Sequence, residues 1–412
     1  MARRNFAWLA MAALAGAASA QTVVDPAATG DAARAFDATV SPPLACKADP
    51  LKPALNFALR FQTGYMLSVP LNLYKEGKHH WDVTLLVTPR SGNRERVYLT
   101  DSTGIANVRR DGIAEITGTF LVGEGRYEVK ASLRDDGGRV CRKEWEVEAK
   151  NVRKEPVLMP SNTVGDLSWH STASPNQAAY PRRVTVVVNA ALPRAARVSS
   201  QDQKGEPSLI TARWTTVVSM VGALVERLAA AAVRMVVINL DQQRELLRQE
   251  DFGLDGMVRV SHAADGLEQW SVDYRVLQNP AGAWDLLAGL VNGELRASEV
   301  SDVVVFVGLP WRTRTRMPAS FPDTSEGPRF FYLQYRVGLA PGLVGPEPDL
   351  QGRRGGQRGG PPPGARPIEA GNFAQPADTI ELSMRRLKGK TFAVYTPADL
   401  NKAIQEIASA GK

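Results

Sequence analysis

Few residues in this chain of 412 have the types and spacing that chemistry demands. The four histidines, His79, His80, His170 and His262, sit on or beside apparent turns and linkers, without the His-x-x-x-His or cysteine spacing that gathers ligands on a metal. They read as exposed polar residues. No Gly-x-Ser-x-Gly elbow, no Gly-x-x-x-x-Gly-Lys-Ser/Thr phosphate loop and no Gly-x-Gly-x-x-Gly turn after a strand occurs. Asp241 and Asp302 flank predicted strands, where each reads as a turn or cap residue rather than a general base. The run Trp311-Arg312-Thr313-Arg314-Thr315-Arg316 has a different character, because an aromatic with alternating arginines suits an anionic partner or a planar carboxylate. A plain solvated loop is the competing reading of the same run.

Cys46 and Cys141 are the only cysteines. Their chemistry depends on compartment, which the first 20 residues address. Arg3 and Arg4 precede an uncharged apolar stretch from Phe6 to Ala17, and Ala18-Ser19-Ala20 supplies small residues for cleavage. This is the pattern of an export signal over residues 1–20; a membrane anchor would need roughly 20 apolar residues. Arg3-Arg4-Asn5-Phe6 also resembles a twin-arginine motif, with ordinary secretion the simpler route. In an exported chain a Cys46 to Cys141 disulfide persists and would close a long loop; two separate buried thiols are the alternative. The segment Trp214 to Leu240 is apolar but interrupted by Glu226, Arg227 and Arg234, so no membrane span is expected in the mature chain.

Composition bounds the rest. The 44% apolar and 23% charged residues suffice for real cores, and length alone suggests about two to three domains. With 50 Lys and Arg against 43 Asp and Glu the net charge is +7, too mild a bias to indicate nucleic-acid binding. Two Cys and four His exclude a disulfide-dense scaffold and a zinc-ribbon architecture. No cofactor is expected.

Hydrophobic period divides the chain. Residues 44–150 show period two, beginning with Leu55, Phe57, Leu59 and Phe61 alternating against Asn56, Ala58 and Arg60. Further short runs lie at Val69 to Leu73, Val83 to Val87, Arg96 to Leu99, Ala114 to Phe120, Tyr127 to Leu133 and Glu144 to Ala149. Turn residues separate them at Ser91-Gly92-Asn93, Asp101-Ser102-Thr103-Gly104, Asp111-Gly112, Gly123-Glu124-Gly125 and Asp135-Asp136-Gly137-Gly138. This spacing predicts an antiparallel β-sandwich. From residue 182 to 412, apolar runs at Val184 to Val188, Met235 to Leu240, Val303 to Val307, Phe330 to Tyr335 and Phe392 to Tyr395 alternate with helical patterns at Ala212 to Val233, Ala283 to Leu295 and Pro397 to Ala408. That alternation predicts an α/β domain with a doubly wound parallel sheet, whose sites lie outside the carboxyl ends of its strands. Residues 21–43 are expected to be loose, 151–181 a linker, and the Gly, Pro and Arg-rich stretch 338–376 a disordered loop. Behind an export signal, such an arginine-rich stretch suggests a surface polyanion or solubility rather than nucleic acid.

Two resemblances sharpen this. Gly125-Arg126-Tyr127-Glu128-Val129 resembles the tyrosine corner of immunoglobulin-like and fibronectin-like domains, with Val129 where antibody domains have Cys. Three stretches resemble a von Willebrand factor type A domain of the divergent form found in exported bacterial proteins: Val184 to Asn189, Val233 to Asp241, and Leu387 to Ile404, with Thr396 a plausible N-cap before Pro397. The resemblance implies a metal-ion-dependent adhesion site reading Asp-x-Ser-x-Ser in the first loop, completed by a later Thr and Asp around a hard cation. Here those five positions are Asn189-Ala190-Ala191-Leu192-Pro193, and Gly308-Leu309-Pro310 follows the Val303 to Val307 strand. The carboxylate and both hydroxyls are gone at Asn189, Ala191 and Pro193. The expectation is therefore an exported, non-enzymatic binding or scaffold protein that meets a protein or cell-envelope partner through carboxyl-edge loops carrying Asn189, Asp241, Trp311, Arg312 and Arg314. The alternative is an extracytoplasmic hydrolase-like enzyme whose active-site residues are dispersed in sequence.

Overall fold

The computed structural model describes residues 19–37, 41–92, 94–105, 112–152, 154–167, 183–191, 208–228, 230–263, 274–313, 315–323, 327–336 and 378–410. The apolar part of the expected signal, the expected loop 338–376, Pro193, His170 and Arg314 lie outside them. The chain divides into two units: Met1–Gln177 with Arg194–Ala229 and Leu254–Met257, and Ala178–Pro193 with Ala230–Gly253 and Val258–Lys412.

The first unit is built on two sheets, antiparallel throughout except where β1 joins β7 in parallel. β1 (Ser19–Ala20), β7 (Ile113–Val122), β4 (Phe61–Pro70) and β3 (Lys47–Leu55) form one sheet in that order, with β10 (Val164–Gly165) also on β7. β2 (Thr22–Val23), β6 (Val97–Ile105), β5 (His79–Pro89), β8 (Gly125–Asp135) and β9 (Val140–Ala149) form the other. Alternation does the work: Tyr65, Leu67 and Val69 of β4, Trp81, Val83, Leu85 and Val87 of β5, and Tyr127, Val129, Ala131 and Leu133 of β8 share one apolar core. A disulfide joins Cys46, just ahead of β3, to Cys141 in β9, with Cα atoms 6.1 Å apart.

Four expectations for this unit are corrected. The alternating run Leu55 to Phe61 is not one strand: Leu55 ends β3, Phe61 begins β4, and residues 56–60 between them form a hairpin turn. Asn56 Oδ1 accepts from the amides of Ala58 at 3.0 Å and Arg60 at 3.1 Å, and Leu59 takes the left-handed conformation with φ 57°. A side chain that hydrogen-bonds its own backbone outcompetes the ladder here. Asp101-Ser102-Thr103-Gly104 is not a turn but part of β6, because pairing with β5 from Val87↔Val97 to His79↔Ile105 overrides local turn preference. The described residues of 21–43 are not loose. β2 pairs with β6, Asp25 caps a single 3₁₀ turn at Pro26–Ala28, and α1 (Thr29–Asp37) accepts at Ala35 O from Ser132 Oγ at 3.0 Å. Nor is 151–181 wholly a linker: β10 belongs to a sheet, Met159 is buried, and Leu158 N donates to Leu59 O at 2.8 Å.

In the second unit every expected apolar run is a strand. β11 (Arg183–Asn189), β12 (Ala232–Asn239), β14 (Val303–Gly308), β15 (Arg329–Tyr335) and β16 (Lys390–Val394) are parallel, and β13 (Arg244–Gln249) is an antiparallel edge strand on β12. The order is β13-β12-β11-β14-β15-β16. The chain thus winds to one side of β11 and returns on the other, which makes β11 and β14 the switch point where loops diverge. Every residue of β14 is buried, as a strand covered on both faces requires.

The helix expected at Ala212 to Val233 is α2 (Ser208–Leu228), and it belongs to the first unit rather than the second. A polar bond fixes it there: Arg60 Nη2 donates to Glu226 Oε2 at 2.5 Å, with side chains only 6% and 10% exposed. Two short helices follow, α3 (Met257–His262) and α4 (Tyr274–Gln278). Then come α5 (Gly282–Arg296), α6 (Thr379–Arg386) and α7 (Pro397–Ser409). Thr396 is the N-cap of α7 as expected, within a capping box: its Oγ1 accepts from Asp399 N, and Asp399 Oδ2 accepts from Thr396 N at 2.9 Å.

Candidate functional site

At the carboxyl end of β11, Asn189 is 1% exposed. Its side-chain oxygen is already committed, accepting from the amides of Ala191 at 3.1 Å and Leu240 at 3.3 Å. Its Nδ2 is buried and makes no hydrogen bond among the described residues. Gly308 ends β14 directly opposite Asn189, and a Cβ there would stand 3.1 Å from both Cβ and O of Asn189. The two strand ends approach so closely that only glycine fits without displacement.

The chain then turns into Leu309 and Trp311, both buried. The Trp311 indole N–H donates to Asp241 Oδ1 at 3.1 Å, linking the loop after β14 to the loop after β12. Its ring joins Ala191, Leu240, Phe321, Trp284 and Ile380 in the apolar core of this unit. Asp241 thereby serves as the indole's acceptor, beyond a turn or cap role. Trp311 O accepts from Thr379 N at 2.7 Å, and Thr313 N donates to Thr379 Oγ1 at 3.1 Å, so α6 is tied to the same loop.

A second set of buried polar groups completes the edge. Asp378 is the N-cap of α6: its Oδ1 accepts from Ile380 N at 2.8 Å and Glu381 N at 3.2 Å. Its Oδ2 accepts from Gln334 Nε2 at 2.7 Å and the Tyr332 hydroxyl at 3.1 Å. Burial pushes the Asp378 carboxyl above the usual carboxylate range, against the pull of these four donors. Burial, with the neighbouring Asp378 charge, also raises the Tyr332 phenol well above its ordinary value.

Of the residues singled out from sequence, Asn189, Asp241 and Trp311 come together at this edge. Arg312, beside them, is exposed. Asp302 sits at the opposite end of the sheet, where its Oδ2 accepts from Arg183 N at 3.0 Å. His79 is not a simple exposed residue: its ring stacks edge-on against Tyr74 at 4.9 Å, between Asp136 Oδ2 and Lys75 O, each 2.8 Å from a ring nitrogen. Sequence reasoning missed Tyr332, Gln334 and Asp378. The signal was there, in a polar residue late in an apolar strand and in Asp378 preceding the amphipathic run Ile380, Met384, Leu387.

Chemically, the edge offers a carboxamide oxygen saturated by backbone donors, a carboxylate bound to an indole, and a carboxyl spent on a helix cap. A hard cation wants six or more free oxygens in a near-complete shell. Among the described residues no three His, Cys, Asp or Glu side chains gather to hold a metal ion. A cleft of about 740 Å³ in this unit lies elsewhere, at the amino ends of β15 and β16, and is lined in part by Arg329, Phe331, Lys388, Lys390 and Glu406.

In the first unit the Tyr127 hydroxyl donates to Gly123 O at 2.9 Å, four residues upstream and across the turn into β8. No helix among the described residues is long and apolar enough to cross a membrane.

No family model and no curated protein matches the chain. Among solved structures, the alkylpurine DNA glycosylase AlkC of Pseudomonas fluorescens, bound to DNA with an abasic-site analogue, aligns at 13% identity and a TM-score of 0.17, over 25% of this chain and 30% of that one. The sporulation control protein Spo0M of Bacillus subtilis aligns at 17% identity and a TM-score of 0.15, over 26% of this chain and 50% of that one. A Paenibacillus cycloisomaltooligosaccharide glucanotransferase aligns at 10% identity and a TM-score of 0.18, over 72% of this chain and 45% of that one. The chain therefore spans half or less of the length of each.

Proposed function

We propose that this is an exported, non-enzymatic binding or scaffold protein, in which an immunoglobulin-like sandwich accompanies a type A-like α/β domain that no longer depends on a metal. The observation that carries the reading is the Trp311 to Asp241 hydrogen bond beside Asn189. At the position where a metal-dependent type A site would present free oxygens, the chain instead packs an indole and spends its oxygens on internal donors. Supporting the architectural part are the sheet order with its single antiparallel edge strand, the capped β16 to α7 connection, and the Tyr127 corner. The Cys46 to Cys141 disulfide is compatible with an oxidising compartment.

The recognition surface is the loop beyond Trp311, with Arg312 and Arg314 as the charged contacts to a protein or cell-envelope partner and Trp311 as the buried peg that holds the loop. Co-sedimentation of the purified protein with envelope fractions tests this. Binding should survive EDTA and fall at least about tenfold in the Arg312→Ala, Arg314→Ala double variant, as loss of charged anchors at an interface centre predicts. Binding unchanged in that variant sinks the assigned surface. Binding abolished by EDTA sinks the metal-independent reading.

A further inference from the structure

The first unit contains a carboxylate oxygen that its own side chains leave unmet. Asp101 lies in β6, where its Oδ1 accepts from the Ser102 amide at 2.7 Å, while its Oδ2 is buried with no hydrogen-bond partner among the described residues. β2 pairs antiparallel with β6, Thr22 opposite Thr100 and Val23 opposite Leu99. One further step in that register sets Gln21 opposite Asp101, and cross-strand neighbours share a face of the sheet.

Gln21 is itself unusual. It stands where the chain leaves β1 on one sheet for β2 on the other, and it is 1% exposed. Its Nε2 donates to the Tyr65 hydroxyl. That hydroxyl is raised above its ordinary value by burial and then by the charge of Asp101, which places the carboxylate beside the same pair. Gly118 makes the arrangement possible, since a Cβ there would come within 2.3 Å of Tyr65 Oη.

Cleavage between Ala20 and Gln21, where the export signal is read to end, would remove β1 (Ser19–Ala20) from β7 and turn the backbone nitrogen of Gln21 into an ammonium group at this point. We propose that the ammonium of the mature Gln21 pairs with the Asp101 carboxylate, so that removal of the export signal completes the electrostatics of the sandwich. The proposal rests on the export reading. A buried carboxylate oxygen without a donor is costly, and a charge-assisted bond from an ammonium is among the stronger ways to relieve it. The pair also protects the new terminus. Cyclisation of an N-terminal glutamine requires the neutral amine to attack Cδ; the new C–N bond forms, the Cδ–Nε2 bond breaks, and ammonia leaves. Asp101 keeps the amine protonated, and Tyr65 holds the amide away from it.

The test uses the full chain exported through its own leader, as wild type and as Asp101→Asn. A second pair, with and without Asp101→Asn, carries Gly-Ser ahead of Gln21 behind a different leader. Mass analysis of the N-terminal peptide gives its first residue and its rate of ammonia loss, and thermal unfolding gives Tm. The expected terminus is Gln21 with its amine intact. Asp101→Asn should lose ammonia about tenfold faster, the factor that one unit of amine pKa supplies. It should lower the Tm of the mature chain by roughly 5 °C and leave that of the extended chain within about 1 °C. The extension alone should lower Tm in the Asp101 background, a comparison that needs no variant of the carboxylate. A peptide starting elsewhere overturns the export reading, and the pair with it. A peptide starting at Gln21 with equal ammonia loss in both chains, and with no Tm penalty from the extension, overturns the pair alone.

Discussion

The two units bury polar groups in different places: between distant segments of the sandwich in the first, and at the strand ends of the sheet in the second. In the first unit, hydroxyls and charges are buried across large sequence separations: Arg60 meets Glu226, Tyr65 meets Gln21, and Tyr74 joins Trp81 to Asp135. In the second, buried polar groups collect at the two ends of the sheet. Thr185, Glu294, Ser301 and Arg234 form a network at the amino end, and Asn189, Asp241, Trp311, Tyr332, Gln334 and Asp378 lie at the carboxyl end. In the sandwich the buried polar groups act as staples between segments distant in sequence. A parallel sheet terminates all its strands at one edge, and the polar groups gathered there are what a binding site is made from.

The largest way to break this comparison is to remove the covalent staple. Replacing Cys46 and Cys141 by Ser should destabilise the first unit by about 4 kcal/mol, given a separation of 95 in sequence and the chain-entropy dependence on loop length. Denaturant unfolding followed at tryptophans of each unit should show the loss in the first transition only. Equal losses in both would mean the units do not unfold separately. Next, Glu226→Gln removes the carboxylate that offsets a buried guanidinium, whose pKa burial already lowers despite that partner. A cost of about 3 kcal/mol is expected, again in the first unit, because uncompensated buried charge is heavily penalised. A change confined to the second unit's transition would show that α2 belongs with the other body.

In the second unit the corresponding lesion is Asp378→Ala. It deletes the cap of α6 and strips the acceptor from Tyr332 and Gln334, and should cost about 2 to 3 kcal/mol. Trp311→Phe should cost about 1 kcal/mol by losing the bond to Asp241 while keeping most of the apolar bulk. On the proposed reading, both variants should also weaken envelope binding, because the loop bearing Arg312 is anchored at these two points. An unaltered affinity in Trp311→Phe would separate the loop's anchorage from recognition.

How far the sequence announced all this differs between the units for physical reasons. Strands buried on both faces write themselves as solid apolar runs, so β11, β12, β14, β15 and β16 were legible. The polar edge strand β13, Arg-Glu-Leu-Leu-Arg-Gln, has neither a run nor a period to betray it. In the sandwich, alternation found the strand interiors but mistook residues 56–60, because a hairpin turn with buried Leu59 continues the period two of the strands on either side of it. Asp101 to Gly104 misled in the opposite sense, since turn-forming residues are tolerated in a strand held by a long neighbour. At the candidate site Asn189, Asp241 and Trp311 were each legible alone from strand ends. Their convergence was not, since Trp311 and Asp241 are 70 residues apart and meet only through sheet order. The departure from the adhesion motif was plain in the letters; that an indole packs into the edge was not.

The smallest effect tests whether the staples of the first unit act through burial. The Tyr74 hydroxyl lies between Trp81 Nε1 and Asp135 Oδ2, and burial pushes its pKa up to about 12 from an ordinary value near 10. Between those values the unfolded chain has released this proton and the folded chain has not, so the folded state binds more protons and stability must fall as pH rises. Below about pH 10 both states hold the proton and the contribution is flat. Tyr74→Phe should therefore be less stable than wild type at neutral pH, where it leaves Trp81 and Asp135 without their shared partner, yet should lose less on going from pH 10 to 12. Equilibrium unfolding of the first unit at a series of alkaline pH values measures this slope. Identical slopes in the two proteins would mean that the Tyr74 environment does not distinguish phenol from phenolate, and that the buried hydroxyls of the sandwich are passengers of its packing rather than part of what holds it.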